Sequence, residues 1–236
     1  MAVRFAVNPD SLNRTTTLPT ITSFTMMGWY LQTTASSVHG MLLCYGHATS
    51  SAVYAITTIS TGLALDIYAG SGFFSGGAVA LNTWYHVAMT VSGTGANQCL
   101  AYRDGVQVAS LSGNAAITGD KLWVGNDAFT EVLLGRMAAI KIWNAALTAT
   151  EIAQEMRSYV PRRLANLLSW HPMLTHTDLS QFGATWTGSG TLATDQGPPI
   201  AWALQEPDVP WIVPVASVTA MPRPVVKLQA VASSVL

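Results

Sequence analysis

Charged residues are scarce in this chain. Asp, Glu, Lys and Arg make up 10% of its 236 residues, and the formal net charge is −1, whereas soluble domains usually carry about 25% charged residues. No cluster of Lys and Arg is present, and duplex binding requires several phosphate charges to be neutralised, so the composition excludes nucleic acid as a partner. A weakly charged surface favours contact with an oligomer partner, an assembly or an uncharged polymer such as glycan.

Cysteine and long apolar runs are also scarce. Cys44 and Cys99 both lie in apolar runs typical of strands, where a free thiol acts as a small buried hydrophobe. We expect free thiols, because disulfide-stapled domains usually carry more cysteines, although the sequence alone also allows a bridge. No run reaches the ~18 apolar residues of a membrane span. The N-terminal MAVRFAVNPD is not a typical signal peptide, so we expect assembly in a cytoplasm and no membrane partner.

Short apolar runs separated by turn residues dominate the rest of the chain. They recur about every 8–12 residues, which is typical of a β-sandwich rather than of alternating strands and helices. Residues 24–32 (FTMMGWYLQ) are apolar at both alternating sets of positions, which predicts a central strand covered on both faces. Residues 70–77 are predicted as a glycine- and serine-rich connection, with a strand following at 78–81. We predict an all-β fold of two antiparallel sheets.

Two local signals are sharper than the rest. Asp104 and Gly105 stand between two apolar runs, and this pair favours the positive φ angles of a two-residue hairpin. Thr148 and Glu151 have the spacing of a capping box. They predict one short helix that begins after Thr148 and packs on the sandwich.

The composition changes near the C-terminus. Seven of the 11 prolines lie beyond Gly197, interleaved with tryptophan, isoleucine and valine. A disordered linker is polar and poor in aromatic residues, so we predict an apolar, Pro-rich C-terminal arm that lies on a surface, preferably that of a neighbour. The predicted division is a sandwich at 1–201 and an arm at 202–236, with assembly contacts at Trp202, Pro210, Trp211 and Pro214.

Five motifs in the right order carry a resemblance to a known family. They occupy residues 24–32, 84–93, 99–110, 121–126 and 135–152, with the segments WYHVAMTVSG, CLAYRDGVQVAS, KLWVGN and GRMAAIKIWNAALTATEI at the last four. In this order they resemble the laminin-G-like, concanavalin A-like lectin/glucanase superfamily, in versions common in bacteriophage structural proteins. The resemblance covers roughly residues 1–201 and implies a jelly-roll sandwich with one short helix.

The chain departs from that family where chemistry is concerned. Ala138 and Ala139 stand where members often carry an acidic pair, and the Glu-x-Asp-x-Glu-like set of the glucanases is missing. Glycoside hydrolysis needs two nearby carboxylates, and Asp66, inside a predicted strand, has no acidic residue two positions away. His86 has the alternation of a strand residue and is expected to be partly buried and satisfied. We therefore predict a protein that is not an enzyme.

Candidate ligand-binding residues are aromatic or polar side chains expected at loops. For glycan they are Phe73, Phe74, Asn126, Asp127 and Phe129, with core packing as the alternative for the aromatic ones. The resemblance also implies that calcium is possible at the rim. Weak candidates for it are Asp127 and Glu131, for which the preferred interpretation is solvated loop acids; no other cofactor is expected.

Two functions fit these observations. The first is a virion structural protein, a capsid decoration or fibre-associated component, whose lectin-like domain faces outward. Its arm would then contact other virion proteins and copies of itself, and closed symmetry favours a homo-oligomer. The alternative is a free carbohydrate-binding lectin module that binds surface glycans and depends on calcium in one version.

Overall fold

The computed structural model describes a large part of the chain, namely residues 1–7, 9–15, 23–35, 39–46, 53–59, 64–69, 73–112, 121–126, 131–173 and 186–201. The chain divides into two units, Met1–Leu204 and Gln205–Leu236, and all described residues belong to the first. The predicted arm at 202–236 lies outside the described residues, so its boundary and its assembly contacts stay predictions. Within the described residues, no helix is long and apolar enough to cross a membrane.

Strands account for nearly all the regular structure in the described residues. In chain order the elements are β1 (Ala2–Phe5), β2 (Ser11–Thr15), β3 (Phe24–Gln32), β4 (His39–Gly46), β5 (Val53–Ile59), β6 (Ala64–Ala69), β7 (Phe73–Ala78), β8 (Trp84–Val91), β9 (Cys99–Arg103), β10 (Val106–Leu111), β11 (Lys121–Val124), β12 (Gly135–Trp143), α1 (Ala149–Glu155), β13 (Leu167–His171), β14 (Thr187–Ser189) and β15 (Ala193–Asp195).

The strands form two sheets, and every pair of neighbouring strands within them is antiparallel. The first sheet has the order β10-β9-β8-β3-β12-β1-β15, with β13 beside β12, and the second has the order β14-β2-β11-β4-β5-β6-β7. Apolar side chains from both sheets form one buried cluster between them, because alternate residues of each strand point to the same face. The predicted jelly-roll sandwich of two antiparallel sheets with one short helix is confirmed.

The two sheets are tied together at the β7–β9 edge by a cation. The Arg103 guanidinium donates to the backbone oxygen of Ala78, 2.7 Å away, and lies over the ring of Tyr85. Gly77 has a φ of +89° and lies against the same guanidinium. Glycine adopts this φ without strain, and it leaves room for Arg103 to reach the opposite sheet.

Both sharp local predictions are confirmed. Asp104 and Gly105 have φ angles of 52° and 80°, and β9 and β10 pair directly on either side of them. At α1 the Thr148 hydroxyl accepts from the Glu151 N–H, while the Glu151 carboxylate accepts from the Thr148 N–H. Leu147 and Ile152 then pack together beneath the helix as a hydrophobic staple.

Other predictions about elements need correction. Residues 73–78 form β7, where the sequence predicted a connection with a strand only from residue 78. Pairing with β6 supplies hydrogen bonds for this segment. These bonds come from another strand, and they outweigh the low strand propensity of its glycine residues. The strand β2 was not predicted, because it directly follows turn residues and its short amphipathic run was taken as part of the turn. It pairs with β11.

The thiols follow the expectation. Cys44 and Cys99 are both buried, and neither forms a disulfide. Cys99 lies in the cluster between the sheets, whereas Cys44 belongs to a separate cluster on the second sheet. The two cysteines therefore face different environments, and each acts as a small apolar side chain.

Candidate functional site

The residues singled out from the sequence lie at opposite ends of the second sheet. Phe73 and Phe74 begin β7, where Phe73 pairs with Tyr68. Asn126 follows β11 and is 4% exposed. In the second sheet β11 lies four strand spacings from β7. Strand spacing and rise separate Phe73 from Asn126 by roughly 20 Å. The structure therefore does not join these candidates into one site.

The rim near Asn126 contains the weak metal candidate. The carboxylate of Glu131 lies 4.0 Å from Nδ1 of His39, and its backbone oxygen accepts from Met41 at 2.9 Å. Asp127 and Phe129 lie outside the described residues. Among those that are described, no three His, Cys, Asp or Glu side chains are grouped to hold a metal ion, so calcium stays a prediction.

A continuous row of residues crosses the second sheet. It was not predicted from the sequence. Successive pairings link Asn13 to Trp123, Trp123 to Cys44, Cys44 to Ala55, Ala55 to Tyr68, and Tyr68 to Phe73. Directly paired residues of antiparallel strands lie on the same face. The flanking residues Leu122 and Val124 point into the core, so the row lies on the outer face of the second sheet.

The centre of this row is small and its flanks are aromatic. Trp123, Cys44 and Ala55 form a cluster with Met41, and the half-buried Tyr68 packs against it. Three strand spacings, about 14 Å, separate the positions of Trp123 and Tyr68. Two aromatic side chains therefore flank a thiol and a methyl group; of these four only Tyr68 is half-buried, and the other three are buried. We call this the outer row.

A second line of residues lies beside the outer row on the same face. Met41, Thr57, Asp66 and Ser75 are paired in that order across β4 to β7. The Thr57 hydroxyl is buried and makes no hydrogen bond. A buried hydroxyl without a partner is unfavourable by about 1–3 kcal/mol, and because Thr57 is 1% exposed its hydroxyl lies out of reach of a ligand at the surface.

The described carboxylate side chains each have a partner within the fold. They are Asp10 with backbone N–H groups, Asp104 with the His86 N–H, Glu131 with His39, Glu151 with Arg163, Glu155 with Lys141, and Asp195 with Arg136. These partners assign the six acids to structural contacts.

His86 departs from its prediction as a partly buried, satisfied residue. It lies on the outer face of the first sheet, is 1% exposed, and its Nδ1 has no hydrogen-bond partner. Burial and the neighbouring charge of Lys141 lower its pKa to about 3. The imidazole is therefore neutral at pH 7, and so low a pKa makes it a poor general base.

The outer row could not be recognised in the sequence, because its members come from strands that are far apart along the chain. Trp123 and Tyr68 each look like ordinary alternating strand residues in KLWV and ALDIYA. Only the order β2-β11-β4-β5-β6-β7 brings them onto one line. The available signal was the alternation itself, since Trp123 stands between two core residues.

Comparison with known proteins agrees with this architecture. The family model described as the concanavalin A-like lectin/glucanases superfamily matches residues 7–153. The chain belongs to this superfamily. No match is found among curated protein sequences.

Two solved structures share the fold of this superfamily member. One is a native heptameric SAP-like pentraxin from Limulus polyphemus, with a TM-score of 0.58 and 16% identity over 81% of this chain and 93% of that one. The other is a Bacteroides ovatus protein thought to bind carbohydrate, with a TM-score of 0.61 and 16% identity over 84% of this chain and 60% of that one. At this identity the likeness shows the fold alone, which is of the lectin and carbohydrate-binding type.

Proposed function

We propose that this domain is a non-catalytic glycan-binding module and that its outer row contacts the glycan. The observation that carries the proposal is Tyr68, a half-buried aromatic side chain on the outer face of the second sheet that packs against Trp123 and Cys44. Binding sites for small polar molecules combine aromatic surfaces with a few placed polar groups. The half-buried Asn13 adds an amide at one end of the row.

The chemistry of this face suits a neutral ligand with hydroxyl groups. Asn13 offers an amide, and Tyr68 offers an aromatic ring with a hydroxyl group; both side chains are half-buried. The whole chain has a net charge of −1, which gives little attraction for a strongly charged polymer. Asn13 and Tyr68 lie four strand spacings apart, about 19 Å, which favours several linked sugar rings over a single one.

We further propose that the module is part of a virion, as a capsid decoration or fibre-associated protein. The support is the low charge of the chain, the apolar Pro-rich composition of residues 202–236, and the resemblance to phage-associated members. The backbone oxygen of Ala201, the last described residue, accepts a hydrogen bond from the backbone N–H of Tyr159 on the outer face of the first sheet. On this proposal the outer row, on the opposite sheet, points away from the particle.

The test is a glycan array followed by calorimetry on the full chain, with and without EDTA. We expect saturable binding of a neutral oligosaccharide by the native protein. Tyr68→Ala should weaken binding at least about tenfold, as removal of an aromatic anchor does, and Asn13→Ala should weaken it less. Loss of binding in EDTA would add calcium to the proposal.

Trp84→Ala is the matched control, because Trp84 is also a half-buried aromatic residue but belongs to the cluster on the first sheet. It should bind as the native protein does. Circular dichroism must show that all variants are folded. A folded native protein that binds no glycan would overturn the glycan proposal, and equal losses in Tyr68→Ala and Trp84→Ala would remove the outer row as the site.

A further inference from the structure

The outer face of the first sheet is covered by the chain itself. The cover, residues 147–163, contains α1 and the turns that follow it. Leu147 and Ile152 pack onto Met27, Ala88 and Tyr102 of the sheet. The Trp29 indole N–H donates to the backbone oxygen of Met156, 2.9 Å away.

A buried ammonium group on the first sheet forms hydrogen bonds to the cover. Lys141 projects from β12 and is 1% exposed. Its Nζ lies 2.8 Å from the Glu155 carboxylate and 2.8 Å from the backbone oxygens of Glu155 and Ser158. Three acceptors around one nitrogen match the three donors of an ammonium group, so Lys141 carries a charge in this buried layer.

His86 lies in the same layer and has no compensating partner. Its ring is 5.4 Å from that of Trp29, edge to face, and its Nδ1 makes no hydrogen bond. It is buried as completely as Lys141. Protonation would place a second cation here, and a buried charge without a partner is strongly unfavourable.

The other charged groups around His86 are already engaged. The Asp104 carboxylate, on the β9–β10 turn, accepts from the backbone N–H of His86 at 2.9 Å. The Glu155 carboxylate binds Lys141 with one oxygen and the N–H groups of Arg162 and Arg163 with the other. Arg162 adds a further positive charge near Lys141. No carboxylate accepts a hydrogen bond from Nδ1 of His86.

We propose that His86 makes the cover an acid-sensitive latch. Protonation of its ring beside the Lys141 ammonium loosens residues 147–163 from the first sheet while the two sheets remain folded. The same event releases Ala201, because Ser158 bridges to Ala201 and the Tyr159 N–H donates to the Ala201 oxygen at 2.9 Å. Acid thereby controls the point at which residues 202–236 join the domain.

The sign of the effect follows from the direction of the pKa shift. Burial and Lys141 lower the pKa of His86 from 6.5 to about 3 in the closed state. The open state binds the proton more strongly, so closure is fully stable above pH 6.5 and weakens as pH falls toward 3. At pH 4.5 the opening constant should be about 100-fold larger than at pH 8, since 4.5 lies two pH units below the ordinary pKa.

Hydrogen exchange followed by mass spectrometry on the full chain tests the latch. Exchange is measured from pH 8 to 4.5 and corrected for the intrinsic rate at each pH. We expect peptides from 147–163 and 198–201 to open about tenfold more for each pH unit below 6.5. Peptides from β3 should keep their protection throughout this range.

Two substitutions identify the titrating group. His86→Gln should abolish the pH dependence of opening, and His86→Phe serves if the first variant does not fold. His39→Gln is the matched control, because His39 lies at the rim beside Glu131, and it should leave the dependence unchanged. The proposal fails if the native cover shows no such dependence, if β3 opens in parallel with it, or if a folded His86 variant retains it.

Discussion

At the scale of single residues, Asp10 shows how a turn residue can become a structural anchor. It is completely buried, and its carboxylate accepts from Ala6 and Thr191 at 2.7 Å and from Val7 at 3.1 Å. Burial alone raises the pKa of Asp10, but these backbone N–H groups outweigh it and hold the pKa below its ordinary value. The anion therefore joins the N-terminal turn to the segment before β15.

Asp10→Asn should lower the free energy of unfolding by about 2–3 kcal/mol, because an amide replaces a charged acceptor of several N–H groups. Urea unfolding at pH 7 measures the loss. The carboxylate stabilises the fold above its ordinary pKa, so the difference from the native protein should shrink as pH falls through the lowered pKa.

Asp195→Asn is the control for this loss. Asp195 pairs with Arg136 at 3.0 Å, but both side chains are 27% exposed. An exposed ion pair contributes no more than about 1 kcal/mol. Equal losses in the two variants would contradict the anchoring role of Asp10.

At the scale of elements, α1 depends on a buried ion pair. Lys141 and Glu155 are both 1% exposed and 2.8 Å apart. Lys141→Met leaves the Glu155 carboxylate buried without its cation, and we expect a loss of about 3–5 kcal/mol in the free energy of unfolding. The double variant Lys141→Met with Glu155→Met should recover part of that loss, since it removes both buried charges.

Thermal and urea unfolding of the single and double variants form a double-mutant cycle that isolates this pair. Thr83→Ala gives the baseline for a surface change, because its hydroxyl makes one long, exposed contact of 3.4 Å. It should stay within about 0.5 kcal/mol of the native protein. A double variant less stable than Lys141→Met alone would show that Glu155 acts through its contacts with Arg162 and Arg163 instead.

Elements with local signals were predictable from the sequence, whereas elements with non-local partners were not. The turn at Asp104 and the cap at Thr148 depend on neighbours within a few residues, and both are confirmed. The strand β7 depends on pairing with β6, and β2 on pairing with β11. A glycine-rich or turn-rich sequence does not reveal such a partner, because the deciding hydrogen bonds come from another strand.

The outer row could not be predicted from the sequence for a related reason. Phe73 was chosen as a loop aromatic, yet its position matters through Tyr68, with which it is paired. Trp123 was read as part of a family motif, and its place on the outer face of the second sheet, where it is buried beside Cys44, was not predicted. Aromatic residues distributed over several strands become a face only once the strand order is known, so the fold was predictable and the outer row was not.

At the scale of the whole molecule, the two sheets present different chemistry. The first sheet is covered by residues 147–163 and bears Ala201, the last described residue. The second sheet bears the outer row, with Trp123 and Tyr68 flanking small residues. On the proposed function, assembly contacts and ligand contacts would use opposite faces of the sandwich and would not compete for surface.

This division predicts the effect of removing residues 202–236. We expect the full chain to be a homo-oligomer by light scattering and the shortened chain, ending at Ala201, to be a monomer with unchanged glycan affinity. The reason is that residues 202–236, which are apolar and rich in proline, would supply contact area for assembly, whereas the outer row belongs to residues that the shortened chain keeps. Trp202→Ser with Trp211→Ser in the full chain is the companion variant, and it should weaken assembly without removing the segment. A monomeric full chain, or a shortened chain that assembles equally well, would contradict a role for residues 202–236 in assembly.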